Sequence, residues 1–156
     1  MRLKVQIHHI LFTVLLVLGI GCGSTPCSPG NLQFGLIGFS DPESNQIILR
    51  KYTLGSQFSQ KIDSVFVTAG FSRSNDTLTM TSVNGDGLLR SSYDYEIVLP
   101  LAGRIYRITK IQEEERFIKH SLFKPRRDGC INRMPVVTIN QQETLTEEYF
   151  RFYLKK

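Results

Sequence analysis

The side chains that could do chemistry in this chain are few, and the pair Asp94 and Glu96 comes first. Both stand in the segment YDYEIVLPL, two residues apart, which places them on one face of a strand. Glycoside hydrolysis uses two carboxylates that face each other across a cleft. The spacing along one strand supplies the two acids but does not show a cleft, so solvated surface acids are the alternative interpretation.

A nucleophilic mechanism would depend on His120 or Cys130. His120 lies between Lys119 and Ser121, and nucleophilic catalysis needs such a base beside the nucleophile. The basic neighbour disfavours protonation of the imidazole, and a solvated strand histidine is the alternative. Cys130 could itself be a nucleophile, but a cysteine in an exported chain is more often bridged. We therefore expect no enzymatic activity.

Asn84, Asp86 and Asp128 lie close to glycines and could contribute oxygen ligands to a calcium site. The twelve-residue pattern of a calcium loop is absent. The Asn84-Gly85 pair is equally typical of a two-residue hairpin turn. We expect no metal and no other cofactor.

Four cations surround Pro125 and Cys130, and they form a possible ligand-contacting patch: Lys124, Arg126, Arg127 and Arg133. Such a patch could contact anionic lipid headgroups or an acidic glycan. A solvated basic loop is the alternative. This patch can contact a membrane only if the protein is exported to one. The N-terminal sequence bears on that location.

The N-terminus has the pattern of a secretory signal. Arg2 and Lys4 precede the apolar run Ile10–Ile20, which is 11 residues long. A membrane-spanning helix needs about 20 apolar residues. The pattern therefore indicates a segment that is cleaved after export rather than a retained transmembrane anchor.

The end of the apolar run, Leu18-Gly19-Ile20-Gly21-Cys22, resembles the lipobox of bacterial lipoproteins. Gly21 matches the small residue before the modified cysteine, whereas Gly19 stands where Leu, Val or Ile is usual. The resemblance implies a signal peptide of residues 1–21 and lipid on Cys22. Ordinary cleavage nearby, which would leave Cys22 as a thiol, is the alternative.

Residues 22–31 are uncharged and rich in small residues and proline, as a tether should be. One acyl chain gives only marginal membrane binding, at about 0.8 kcal/mol for each buried methylene. A lipoprotein cysteine carries more than one chain, so the resemblance implies stable attachment. We expect the domain to work in a bacterial cell envelope, anchored to the outer membrane, with membrane lipid as the partner of Cys22.

Removing the signal changes the charge balance. The whole chain has 19 Lys and Arg against 14 Asp and Glu, a formal net charge of +5. Without Arg2 and Lys4 the cations number 17 and the formal net charge is +3. This mild excess does not favour nucleic acid as a partner.

The number of cysteines is consistent with an exported protein. If lipid occupies Cys22, then Cys27 and Cys130 are available as a pair in an oxidising compartment. Their disulfide would close a loop of about a hundred residues, for which chain entropy gives on the order of 4 to 5 kcal/mol. Two unpaired buried thiols are the alternative.

Residues 32–156 show the periodicity of strands and form one predicted domain, without a sustained 3.6-residue period. Thr77–Val83 is the clearest strand, because Leu78 and Met80 share one face. Glu113–Glu115 is predicted to be a short helical turn or a loop. The predicted strands are Leu32–Phe39, Gln46–Leu54, Ile62–Phe71, Thr77–Val83, Tyr93–Leu101, Arg104–Gln112, Phe117–Phe123, Pro135–Ile139 and Tyr149–Leu154.

Many short strands with frequent turns are typical of a sandwich or a barrel. The segment Leu99–Tyr106 resembles the tyrosine corner of immunoglobulin-like domains, which implies a hydrogen bond from Tyr106 to upstream backbone. The chain lacks the tryptophan of antibody domains. We therefore predict an all-β fold, an antiparallel β-sandwich of the looser immunoglobulin-like kind, after a cleaved signal peptide.

The order of signal with lipobox, short tether and one β-rich domain resembles the small lipoproteins of Bacteroidota. That resemblance rests on residues 2–22 and implies location rather than activity. We expect a non-enzymatic, membrane-tethered binding or assembly module whose partner is an envelope protein or a glycan. The alternatives are an envelope hydrolase with carboxylate catalysis and a subunit of a surface appendage or adhesin.

Overall fold

A computed structural model of the chain describes residues 27, 30–67, 69–83, 88–118, 129–148 and 150–156. Within these ranges the chain forms twelve strands, one short α-helix and one 3-10 turn, Pro100–Ala102. The helix, α1, spans Asp41–Ser44. The strands are β1 Gln33–Ile37, β2 Ile48–Thr53, β3 Lys61–Phe66, β4 Ala69–Ser74, β5 Thr77–Val83, β6 Tyr93–Leu99, β7 Arg104–Thr109, β8 Glu114–Ile118, β9 Gly129–Arg133, β10 Val136–Ile139, β11 Gln142–Leu145 and β12 Arg151–Lys155.

The described strands form three sheets. One has four strands in the order β12-β1-β5-β4, another has six in the order β11-β10-β7-β6-β2-β3, and β8 pairs with β9 alone. Strand pairs are antiparallel except for β1 and β12, which run parallel. The prediction of an all-β, sandwich-like fold is confirmed.

The two larger sheets share one hydrophobic core. Phe34 of β1 and Phe152 of β12 contribute from the four-stranded sheet, with ring centroids 6.3 Å apart. Ile97 of β6 and Ile108 of β7 contribute from the six-stranded sheet, and both are fully buried. Burial of apolar surface, at about 25 cal/mol per Å², is the main stabilisation of such a core.

The hydrogen bond predicted for Tyr106, to upstream backbone as in a tyrosine corner, is wrong. The hydroxyl of Tyr106 donates to the backbone carbonyl of Lys155, in the last strand, and not to upstream backbone. The bond joins β7 of the six-stranded sheet to β12 of the four-stranded sheet. Burial raises the pKa of Tyr106, so the hydroxyl stays protonated as a donor. Tyr106 therefore links the two sheets.

Several predicted boundaries also change. The predicted strand Ile62–Phe71 is two strands, because the chain leaves the six-stranded sheet after Phe66 and enters the four-stranded sheet at Ala69. Glu114 and Glu115 begin β8 rather than a loop, because β9 pairs with them. The turn predicted after Phe39 contains α1, which Ser40 and Glu43 begin with a capping box.

Candidate functional site

Three neighbouring strands of the six-stranded sheet align a row of charges. Arg50 of β2 stands opposite Glu96 of β6, and Glu96 stands opposite Arg107 of β7. Since side chains alternate along a strand, these three point away from the core face that carries Leu49 and Ile97. We call Arg50, Glu96 and Arg107 the polar row of the outer face.

Glu96 is the centre of the polar row. Its Oε2 accepts hydrogen bonds from the hydroxyl of Tyr52 at 2.7 Å and from Nη1 of Arg50 at 3.3 Å. Its Oε1 accepts one from Nε of Arg107 at 3.2 Å. These three donors come from two strands and satisfy a carboxylate that is only 6% exposed.

The electrostatics of this centre keep Glu96 ionised. Burial on its own would raise the pKa of Glu96, but hydrogen bonds from Tyr52, Arg107 and Arg50 outweigh it and hold that pKa below its ordinary value. Burial and the neighbouring carboxylate raise the pKa of Tyr52, so this phenol remains a donor. The group is a charged hydrogen-bond network that is stable at neutral pH.

Asp94 lies two residues before Glu96, on the same face, and is 3% exposed. Its Oδ2 accepts the backbone N–H of Gly55 at 2.8 Å. This bond fixes the turn that follows β2 and holds it over the end of the sheet. Asp94 therefore organises backbone and does not present a free acid to solvent.

A cleft of about 1100 Å³ lies beside Asp94 and the polar row. The turn after β2, the end of β7 and the turn between β10 and β11 form its walls. The side chains that line it include Leu54, Gln57, Phe58, Arg107, Lys110 and Gln141. Its volume is slightly above the usual range for small-molecule sites, about 300 to 1,000 Å³.

The walls of the cleft hold an unusual backbone. Of seven non-glycine residues with positive φ in the described chain, five line it: Gln57, Phe58, Lys110, Asn140 and Gln141. The left-handed conformation costs a residue with a side chain roughly 1 to 2 kcal/mol. Such residues concentrate at functional sites, where the surrounding structure fixes them.

The turn between β10 and β11 shows how this backbone is held. Ile139 pairs with Gln142, so Asn140 and Gln141 form a two-residue hairpin loop with φ of 47° and 71°. Such loops require positive φ at both positions and usually have glycine second, where this chain has Gln141. Oδ1 of Asn140 accepts the backbone N–H of Arg107 at 2.9 Å, which attaches the turn to β7.

Phe58 connects the cleft to the polar row. Its ring packs edge-on against Tyr52, with centroids 5.2 Å apart. The guanidinium carbon of Arg107 lies 5.0 Å from the centre of the same ring, a cation–π contact. Arg107 is therefore held on one side by Glu96 and on another by Phe58.

The structure brings Asp94 and Glu96 together on one face, as predicted, but gives both carboxylates structural contacts. A glycosidase needs one carboxyl group with a raised pKa to donate a proton. Glu96 has a lowered pKa and is bound by three donors. Glu96 therefore does not provide the acid with a raised pKa that such a mechanism uses.

The remaining predicted site residues fall mostly outside the described residues. These are Cys22, Asn84, Asp86, His120, Lys124, Arg126, Arg127 and Asp128. Arg133, the fourth member of the predicted basic patch, is half-buried at the end of β9. Cys27 is described, at the start of the described chain. The side chain of Cys130 is not among those described, so its pairing with Cys27 stays a prediction.

Gly30, in the segment predicted to be the tether, lies against β9. A Cβ on Gly30 would be 2.9 Å from the carbonyl oxygen of Asn132, a contact that only glycine permits. Glu113 accepts hydrogen bonds from the side chains of Ser91 and Asn132 and from the backbone of Gly30. The Ser91 bond first, then those of Asn132 and Gly30, lower the pKa of Glu113 despite its burial.

Sequence reasoning missed the donors and the aromatic side chain of the site. Tyr52 and Arg50 belong to the predicted strand after Gln46, but nothing local to them indicates Glu96 as a partner. Phe58 did carry a signal, because it is the one aromatic residue in the polar loop GSQFSQK. A single apolar residue in a polar loop is ordinary, however, so this signal alone does not indicate a site.

Within the described ranges, no group of three or more His, Cys, Asp or Glu residues could hold a metal ion. Across the same residues, no helix has the length and apolar character that crossing a membrane requires. Comparison with protein-family models, with curated proteins and with solved structures finds no match.

Proposed function

We propose that the protein is a lipid-anchored binding module of a bacterial cell envelope, and that the cleft is its ligand-contacting site. The observation that carries the proposal is the wall of the cleft, where five side-chain-bearing residues hold positive φ. A surface that keeps this conformation at a cost in free energy is preorganised, and preorganisation favours binding.

A binding role also agrees with the chemistry of the cleft. Its buried acids, Asp94 and Glu96, already accept hydrogen bonds from the protein. The exposed groups are cations, amides and an aromatic ring, which recognise ligands without needing to transfer protons. The partner is an envelope glycan or protein.

The anchor is the second part of the proposal, and it rests on the lipobox resemblance at Cys22. A tether of residues 22–31 would hold the domain at the membrane, in our proposal the outer membrane of a Bacteroidota-type lipoprotein. The contacts of Gly30 with Asn132 and Glu113 bring the tether beside β9, which contains Cys130. This proximity supports a disulfide between Cys27 and Cys130. The basic patch of Lys124, Arg126, Arg127 and Arg133 would contact headgroups near that anchor.

The experiment that tests this proposal uses the full chain expressed in a bacterium that processes lipoproteins. Partners would be cross-linked in living cells and quantified for the wild type, for Phe58→Ala in the cleft and for Phe66→Ala. Phe66 is the matched control, because it is an exposed phenylalanine of the same sheet that does not line the cleft.

We expect Phe58→Ala to lose the cross-linked partner and Phe66→Ala to keep it. Mass spectrometry of the same purified protein should show an acylated N-terminal Cys22. Equal cross-linking by all three forms would refute the assignment of the cleft. An unmodified N-terminus at any residue other than Cys22 would refute the anchor.

A further inference from the structure

We propose that the cleft takes a saccharide chain that carries carboxylates, of the uronic-acid kind. This inference rests on the proposed binding function and names its ligand class. Three features of the cleft support this ligand class. Its exposed charge is positive, its walls carry several side-chain amides, and its described lining has no open strand edge.

The charge that the cleft presents to solvent is positive. Asp94 and Glu96 are buried and accept hydrogen bonds, whereas Arg107 and Lys110 are exposed. The side chain of Arg107 remains 60% exposed although its Nε contacts Glu96. An anionic group therefore meets two cations before it meets either acid.

Arg107 is oriented for a carboxylate. Its Nε–H donates to Glu96 and its guanidinium lies against the ring of Phe58, which together fix the plane of the group. Among the described residues, neither terminal nitrogen of Arg107 has a hydrogen-bond partner. Two parallel N–H groups of a fixed guanidinium match the two oxygens of a carboxylate.

Amide side chains supply the contacts for hydroxyl groups. Gln57, Asn140 and Gln141 are exposed on the two turns that form the walls. Each amide has both donors and an acceptor, as a hydroxyl-rich ligand requires. Asn140 uses its oxygen on Arg107, which leaves its NH₂ group for a ligand.

The remaining wall is apolar, and it comes from Leu54 and Phe58. The C–H faces of a pyranose ring can pack on such a surface while its hydroxyls bond to amides. A volume of about 1100 Å³ leaves room for a short oligosaccharide.

The lining favours a saccharide over an acidic peptide. One common way in which a protein binds an extended peptide is to add it as a strand to an open sheet edge. The cleft is lined by turn residues and by β6 and β7, which both have neighbours on each side in the sheet. No described residue of the lining belongs to an edge strand, so the cleft does not offer a peptide this mode of binding.

The test is titration calorimetry on the full chain, purified in detergent, with a short oligogalacturonate as the probe. The same oligomer with its carboxylates methyl-esterified is the matched control ligand, and polyglutamate is the acidic peptide. The protein variants are Lys110→Gln and Gln141→Ala in the cleft. Lys61→Gln is the control, because Lys61 is an exposed lysine of β3 outside the cleft.

We expect esterification or Lys110→Gln to weaken binding by about tenfold, since a hydrogen bond to a charged group contributes on the order of 1.5 kcal/mol or more. Gln141→Ala should weaken binding less, and Lys61→Gln should leave it unchanged. Equal binding of the methyl ester or of polyglutamate would overturn the ligand class, as would the absence of heat with every probe. Loss of cross-linking in Phe58→Ala cells would then still support the binding function.

Discussion

The two ends of one sheet face differ in a way that reverses the usual rule of burial. At one end lies the polar row of Arg50, Glu96 and Arg107. Two residues further along the same strands lies the apolar row, formed by Phe66, Ile48, Val98 and Ile105. Glu96 is 6% exposed, whereas Phe66 is 71% exposed and Ile105 is 52% exposed. The carboxylate at the centre of the polar row is therefore as buried as Val98 of the apolar row, at 8%, and far more buried than Phe66 or Ile105.

Long neighbours explain the difference. The stems of Arg50 and Arg107 flank Glu96, and such stems cover surface while their charged ends stay in water. Tyr52, near the end of β2, and Phe58, in the turn that follows β2, cover the same end. Phe66 stands on the edge strand β3, with a neighbour on one side only. Burial on this face therefore follows the length and number of neighbours rather than polarity.

Replacement of Glu96 by Ala is the change with the largest expected effect. It leaves the hydroxyl of Tyr52 and two guanidinium groups without their acceptor, in a place where water reaches the hydroxyl poorly. Loss of such a partner costs about 1 to 3 kcal/mol. The exposure of both arginines limits their share of that cost. We expect a loss of about 2 kcal/mol in the free energy of unfolding, measured in urea.

Ile105→Ala is the matched control for that measurement, since Ile105 lies on the same face in the apolar row. An exposed position of this kind should change stability by no more than about 0.5 kcal/mol. If Glu96→Ala costs no more than Ile105→Ala, the polar row does not stabilise the sheet and the comparison fails.

Acid should have a smaller effect on the same row. The pKa of Glu96 is lower in the folded chain than its ordinary value of 4.5. Ionised Glu96 therefore stabilises the fold above about pH 4.5, and this contribution disappears as the pH falls through the lower, folded pKa. The loss is smaller than in Glu96→Ala, because a protonated carboxyl still fills the space and accepts from Tyr52.

The measurement is the midpoint of urea unfolding between pH 6 and pH 3, compared with Glu96→Gln. Glu43 and Glu113 also have lowered pKa values, with that of Glu43 at about 2, so the wild type and the variant share their contribution. The wild type should lose more stability in acid than Glu96→Gln. Parallel curves for the two proteins would contradict a charged network at Glu96.

The sequence predicts well those strands whose side chains alternate against the core. In Thr77–Val83, Leu78 and Met80 are buried as the alternation indicates, and Thr77 begins β5 as predicted. In β7, Tyr106 and Ile108 are buried while Arg107 is exposed. An alternation of apolar and polar residues indicates a strand with one buried face and one face exposed to solvent.

Strands that lack a dry face could not be predicted. The segment QETL forms β11 at the edge of the six-stranded sheet, and its residues are polar or exposed. β8 begins with Glu114 and Glu115, which pair with Arg133 and Asn132 of β9. Their pairing depends on a distant segment, and no local pattern indicates it.

The candidate site likewise has one part that the sequence predicts and one part that it does not. The common face of Asp94 and Glu96 follows from their spacing, so the sequence predicts it. The donors to Glu96 do not follow, because Arg50 and Tyr52 are separated from it by 46 and 44 residues. The register between β2 and β6 decides which residues meet, and a shift by one residue would place Glu96 on the core face.

The smallest effect on stability is expected in the apolar row, for the substitution Phe66→Ser. Phe66 contacts solvent over most of its surface, so the substitution removes little buried area. We expect the free energy of unfolding to change by less than about 0.5 kcal/mol. Val98→Ala is the matched change in the same row, because Val98 is buried between two strands and should cost more. A cost of 1 kcal/mol or more for Phe66→Ser, at a protein concentration that keeps the chain monomeric, would show that length and number of neighbours do not set burial on this face.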